Sequence, residues 1–212
     1  HELNNPLNNI STSIQILIEE LEEGNIEQKL NRLIEVEKQV ERAKNIIKAL
    51  LEFSHKKSLS FKRVQFKNLV KKSIEMIKEE MPDEISINMN VPENIEAKLD
   101  PKRVQQVLTN LILNSVQAMT GGGVLTIKAW KGMENDAKMF YFQVQDTGQG
   151  ISKQDVNKIF DPFFTTKDTG QGSGLGLFIV HDIIIQHGGQ ITIDSTGEGA
   201  VFTIVLPVGE VS

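Results

Sequence analysis

Two asparagines and two glycine-rich runs supply the side chains and bare backbone in this chain best suited to chemistry. Asn110 and Asn114 stand four residues apart in Asn110-Leu111-Ile112-Leu113-Asn114. On a helix that spacing puts both amides on one face and turns the apolar residues between them elsewhere. Asparagine costs helix propensity, and its amide oxygen is a good ligand for a hard cation such as Mg2+, which usually keeps water and phosphate oxygens as well. The polar face of an amphipathic helix accounts for the same pair. Asp146-Thr147-Gly148-Gln149-Gly150-Ile151 follows a strand-like stretch. A carboxylate at a strand end accepts a hydrogen bond from an exocyclic amine, and glycines let backbone approach a flat ring. A tight turn fits those residues equally. Gly172-Ser173-Gly174-Leu175-Gly176-Leu177 opens an apolar-rich helix, where bare backbone N–H groups form an anion site. Asp194 lies twenty residues after Gly174, as a dinucleotide fingerprint requires, but the preceding stretch is polar where a strand is needed and the glycine spacing is wrong. No Gly-Lys-Ser/Thr run of a P-loop exists.

At the other end, His1 stands beside Glu2. A neutral imidazole attacks through one nitrogen while the other holds the proton. An adjacent carboxylate accepts that proton's hydrogen bond and stabilises the imidazolium that forms, a nucleophile-plus-base pair. The second histidine of a zincin motif is missing, because the position four residues after His1 is Asn5.

Two kinds of element position these groups. Leu3, Leu7, Ile10, Ile14, Leu17 and Leu21 form one heptad seam, and Leu33, Val36, Val40, Ala43, Ile47 and Leu50 a second. The turn Glu22-Glu23-Gly24-Asn25 between them predicts an antiparallel helical hairpin over residues 1–57. A lone hairpin leaves apolar surface bare, so two are expected to pair as a four-helix bundle in a homodimer. An interaction coiled coil accounts for the seams alone.

From Ser58 to Ser212 the pattern becomes α+β. Strands are expected at Lys62–Gln65, Ile85–Asn90, Ile95–Leu99, Val124–Trp130 and Phe140–Gln145, with a last hairpin of Gln190–Asp194 and Val201–Leu206. Helices are expected over Phe66–Glu80, from an Asp100 cap and Pro101 to Met119, from a Ser152 cap to Phe160, and over Leu175–His187. Histidines 55, 181 and 187 read as structural or exposed.

Taken in order, the three segments and Phe160-Asp161-Pro162-Phe163-Phe164-Thr165-Thr166-Lys167 between the last two resemble the ATP-binding (GHKL, Bergerat-type) fold of DNA gyrase, MutL-type repair proteins and sensor histidine kinases. The phenylalanine-rich run is similar to a box specific to the kinases, and His1-Glu2-x-x-Asn5-Pro6-Leu7 resembles their phosphoacceptor box. The resemblance covers nearly the whole chain. It implies an α/β sandwich ATP-binding domain after the hairpin, ATP and Mg2+, and phosphoryl transfer to His1 and on to a response regulator receiver domain. By the same resemblance Asn114 ligates Mg2+ and Asn110 lies beside the phosphates. Asp146 holds the adenine amine, with Gly148, Gly150 and Ile151 against the ring. Gly172, Gly174, Leu175, Gly176 and Leu177 flank the phosphates below a lid over Thr165–Ser173, and Asn5 orients water for removing phosphate from the regulator. Many relatives carry a basic residue where this chain has Gln117, so Lys167 is expected to supply that charge. They often carry threonine where this chain has Ala200.

Composition bounds the alternatives. A net charge of -5 argues against nucleic acid as a partner. The chain has no cysteine, which suits a cytoplasmic, reducing compartment. No stretch is long and apolar enough to span a bilayer, so no membrane contact is expected of this fragment, while the full-length protein is compatible with a membrane anchor. A chain opening at His1 reads as a piece of a longer protein. Without preceding helical turns it is expected to bind ATP well but phosphorylate His1 more slowly than an extended version. The rival readings are a GHKL-type ATPase acting as a conformational clamp and a non-catalytic dimerisation scaffold. The histidine and phenylalanine boxes favour the kinase over the clamp, and the intact asparagines, Asp146 and glycines disfavour the scaffold.

Overall fold

A computed structural model describes residues 3–19, 25–54, 58–167, 173–195 and 197–208. The chain divides into two compact units, residues 1–57 with Asp161–Leu175, and Ser58–Phe160 with Gly176–Ser212.

In the first unit, α1 (Asn4–Glu19) and α2 (Ile26–Ser54) pack against each other. Pro6 sits in the first turn of α1, where its missing N–H breaks no helical bond. Asn25 accepts the Glu27 N–H at its side chain, capping the start of α2. The second seam divides in a way the heptad alone does not foresee. Gln39, Ala43 and Ile46 are buried, while Leu33, Val40 and Ile47, spaced by sevens, remain exposed. Leu7 and Ile14 form a similar exposed stripe on α1. The rest of this unit's described chain is a tight loop. Phe163, at φ 69°, donates its N–H to the Gly174 carbonyl at 3.0 Å. A Cβ on Gly174 would lie 2.3 Å from the Phe163 carbonyl carbon, so the close crossing requires glycine.

The second unit is a mixed sheet covered by helices. Its strands are β2 (Ile85–Asn90), β4 (Gly123–Glu134), β5 (Ala137–Gln145), β6 (Gln190–Asp194) and β7 (Val201–Pro207), ordered β2-β4-β5-β7-β6. Only the β2–β4 pair is parallel. A separate ribbon pairs β1 (Lys62–Gln65) with β3 (Glu96–Leu99). Alternation puts Phe140, Phe142 and Val144 of β5 into the core and leaves Tyr141, Gln143 and Gln145 on the other face. Leu125 and Ile127 of β4 and Phe202, Ile204 and Leu206 of β7 extend that buried face. The helices α3 (Phe66–Met76), α4 (Pro101–Ala118) and α5 (Gly176–Gln186) supply Phe66, Val104, Leu108, Leu111, Ile112, Val180 and Ile184. Phe66 meets the rings of Phe140 and Phe142 at 4.9 and 5.0 Å, edge-on or tilted as aromatic quadrupoles prefer.

Several expected boundaries move. The helix expected through Glu80 ends at Met76 and tightens into a 3-10 turn over Lys78–Glu80 ahead of Pro82, which cannot donate to a further turn. The strands around Trp130 run on to Glu134 and from Ala137, joined at Asn135 and Asp136, both at positive φ. That is the turn geometry whose twist suits a two-residue hairpin. The helix expected at Ser152–Phe160 is a succession of turns. There the Ser152 hydroxyl binds the Asp155 side chain at 2.7 Å and does not cap a backbone amide.

Candidate nucleotide site

The site is assembled on α4, the β5 end and the first turn of α5. Asp100 sets the start of α4. Its Oδ1 accepts the Lys102 and Arg103 amides at 3.0 and 3.2 Å, with Pro101 at the first helical position. Its Oδ2 accepts the Ser60 amide at 2.8 Å. Burial pushes the Asp100 carboxyl up, but these amides outweigh it and hold the group below the ordinary carboxylate value. The Asp100 amide in turn donates to Nε2 of His187, and Nδ1 of that ring binds the Ile183 carbonyl at 2.7 Å. This fixes a neutral ring protonated at Nδ1. Burial is the main cause that pulls the His187 pKa down. His187 is therefore structural, and it ties the end of α5 to the start of α4.

Further along α4, Asn110 donates from Nδ2 to the Gly176 carbonyl at 3.1 Å. The position of a Cβ on Gly176 would lie 3.9 Å from both the Asn110 amide carbon and Nδ2 of Asn114. Both predicted amides thus face the first residue of α5, where unsatisfied helix amides favour an anion. That bond uses one of the two N–H donors of the Asn110 amide and leaves the second donor and the amide oxygen for a ligand. Among the described residues no group of three or more His, Asp or Glu converges. A hard cation at this place would take an amide oxygen of Asn114 together with phosphate and water oxygens, a donor set that suits Mg2+.

Asp146 closes β5 and is buried. Oδ1 accepts the Gly148 and Ala200 amides at 3.0 and 3.2 Å, and Oδ2 accepts the Ser115 hydroxyl at 3.1 Å. The glycines beside it have a reason the motif alone does not disclose. A Cβ on Gly148 would stand 2.6 Å from the Ala118 carbonyl oxygen, and one on Gly150 would meet the Ser195 hydroxyl and the Gly199 carbonyl. The absent side chains thus let this turn pack on the end of α4 and on the last hairpin. Ile151 is held by its amide on the Ser195 hydroxyl at 2.7 Å.

The second unit therefore brings together Asn110, Asn114, Asp146, Gly148, Gly150, Ile151, Gly176 and Leu177. Lys167, Gly174 and Leu175 belong to the first unit, as does Asn5, exposed on α1. Lys167 is half-buried, and that burial lowers its pKa. Gln117 is exposed near the end of α4. His1, Glu2, Gly172 and His55 lie outside the described residues. Sequence reasoning missed Ser115 and Ser195. Ser115 directly follows Asn114, so its position was visible, but a helical serine usually bonds its own backbone and carries no signal of such a role.

The chain is similar to known proteins in both sequence and structure. Residues 99–210 match the family described as histidine kinase-, DNA gyrase B-, and HSP90-like ATPase, and residues 1–59 match the His Kinase A (phospho-acceptor) domain. The sensor histidine kinase ZraS of Escherichia coli (strain K12) is 34% identical over 211 residues, 98% of this chain and 44% of that protein. The chain therefore spans less than half the length of this curated relative. The catalytic domain of histidine kinase ThkA is similar over 71% of this chain and 97% of its own, with a TM-score of 0.62 and 30% identity. ThkA in complex with response regulator protein TrrA is similar over 99% of this chain and 59% of its own, with a TM-score of 0.77 and 26% identity.

Proposed function

Because this chain belongs to the histidine kinase-, DNA gyrase B-, and HSP90-like ATPase family and carries a sensor histidine kinase core, we propose that it transfers the γ-phosphoryl group of ATP to His1. The carrying observation is that one chain joins a phospho-acceptor match beginning at His1 to a site where two asparagines meet a helix N-terminus beside a buried aspartate. In this reading residues 1–57 are the phosphoacceptor hairpin and residues 58–212 the nucleotide-binding domain. Asp146 receives the adenine amine, with Gly148, Gly150 and Ile151 beside the ring. Asn110 and the start of α5, with Gly172, Gly174, Leu175, Gly176 and Leu177, position the phosphates, and Lys167 adds positive charge. Mg2+, held by Asn114, would neutralise charge on the phosphates.

A ring nitrogen of His1 attacks the γ-phosphorus, the bond to the bridging oxygen breaks, and ADP leaves with that electron pair. Glu2 accepts a hydrogen bond from the other ring nitrogen and steadies the cation. The phosphoryl group then passes to an aspartate of a response regulator receiver domain, a partner class supported by the ThkA complex. Asn5, one turn from His1, orients water for the reverse task of dephosphorylating the regulator. Leu7 and Ile14, and Leu33, Val40 and Ile47, give the heptad-spaced apolar stripes that a second hairpin would cover, which supports a homodimer. We place this core in the cytoplasm, and the full-length protein is compatible with an anchor in a membrane. No described helix is itself long and apolar enough to cross one.

The test is incubation with Mg2+ and γ-labelled ATP. The expected label is lost in acid, survives base and vanishes in His1→Ala. Label that survives acid, or persists in His1→Ala, refutes the reading, and sustained turnover without label favours a clamp-type ATPase. Asn5→Ala should keep the label but lose regulator dephosphorylation, and unchanged dephosphorylation removes Asn5 from that role.

A further inference from the structure

We propose that Ser115 is a positioning residue that sets the base selectivity of this site by leaving Asp146 one open acceptor position. The inference rests on reading Asp146 as the base contact and adds to it the residue that aims the carboxylate.

An ionised carboxylate offers about four acceptor positions and no donor. On Asp146 three are taken. Gly148 and Ala200 fill Oδ1 with backbone amides at 3.0 and 3.2 Å. Ser115 fills one position of Oδ2 at 3.1 Å. The position left is on Oδ2. The two amides come from the turn after β5 and the residue preceding β7, so by themselves they hold one oxygen and let the carboxylate pivot about it. Ser115 reaches the other oxygen from α4 and fixes the plane.

The destination of that hydroxyl is unusual for a buried helical serine. Ser73 on α3, equally buried, bonds back to the Leu69 carbonyl at 3.0 Å. Ser115 is 1% exposed and turns its proton to Asp146, 31 residues away in sequence. Ser115 also follows Asn114 directly, so one helix sets both the cation ligand and the base contact.

The chemistry of the open position decides which purine it accepts. A 6-amino group brings a proton to Oδ2. A 6-oxo group brings a second acceptor, and two buried acceptors facing each other without a proton are strongly disfavoured. Without the Ser115 hydroxyl, Asp146 pivots and offers its acceptor in several directions, so the amine loses its fixed partner while a base lacking the amine loses nothing.

The test measures Mg2+-dependent binding of ADP, GDP and purine riboside 5′-diphosphate, which lacks the 6-amino group, to the protein and to Ser115→Ala and Ser115→Thr. The parent should prefer ADP over both others. Ser115→Ala should weaken ADP about tenfold, a typical worth for such a bond, and leave purine riboside diphosphate within about twofold. Ser115→Thr, which keeps the hydroxyl, should restore the preference for ADP. Equal weakening of ADP and the amine-free nucleotide would mean a merely structural serine and overturn the inference, as would an unchanged ADP affinity. A parent that binds no ADP at all would instead overturn the nucleotide reading beneath it.

Discussion

Replacing Asp100 by alanine should loosen the second unit at the start of α4. The side chain is 8% exposed and serves three backbone amides, those of Lys102 and Arg103 at the first turn of α4 and that of Ser60 ahead of β1. Losing the cap costs about 1 kcal/mol. Leaving the Ser60 amide without its charged acceptor costs about 1.5–3 kcal/mol. The two together come to about 2.5–4 kcal/mol, and at roughly 2–4 °C per kcal/mol for a unit of this size the midpoint should fall by about 5–15 °C. An asparagine in its place would have a single side-chain oxygen, able to serve α4 or Ser60 but not both, so Asp100→Asn should fall about halfway. The assay is thermal unfolding followed by tryptophan fluorescence. Trp130 is the single tryptophan and stacks on Tyr141 at 5.2 Å in the sheet, so it reports this unit and not the helical hairpin. An alanine variant that melts within a degree or two of the parent would refute the account. An asparagine variant as unstable as alanine would refute the division between cap and clasp.

Stability should also fall with acid in a defined window. His187 has a pKa below the ordinary 6.5, chiefly through burial. The unfolded chain therefore binds a proton near pH 6.5 that the folded chain refuses. The stabilisation is fully present above that pH and declines as pH drops toward the folded value, with a slope of at most ~1.4 kcal/mol per pH unit. His187→Gln, which does not titrate, should flatten the fluorescence midpoint between about pH 7 and 5, and an unchanged slope would assign it to other groups. Asp100, also lowered, adds a loss of the same sign only below the ordinary carboxyl value of 3.8. In the last hairpin, Gly199→Ala puts a Cβ 2.1 Å from the Asp146 carbonyl oxygen at φ +95°, whereas Gly197→Ala at φ +93° meets nothing within 4 Å. Both carry a conformational cost of about 1–2 kcal/mol. Only Gly199→Ala should also displace Asp146, so ADP affinity should drop in that variant and hold in the other. Equal affinities would show that the hairpin does not position the aspartate.

The residue types and their order determined the candidate site residues and which family the chain belongs to. Asn110 and Asn114 are four apart, Asp146 ends an alternating stretch, and Gly176 opens an apolar helix, and each pattern survives in the second unit because helix and strand periods are local. The Asp100 cap and Pro101 were legible for the same reason, since a cap acts on amides two and three residues away. Tertiary structure decided what joins these pieces. The buried and exposed sides of α2 depend on what lies against each side, so Gln39, Ala43 and Ile46 are covered while Leu33, Val40 and Ile47 stay open. The expected helix at Ser152–Phe160 is a succession of turns, in which the Ser152 hydroxyl binds Asp155. Gly148 and Gly199 are glycines because backbone from distant parts of the chain crosses within a Cβ's reach, and Ser115 finds Asp146 across 31 residues of sequence. Such contacts have no sequence period, because they form only after the sheet and helices have packed.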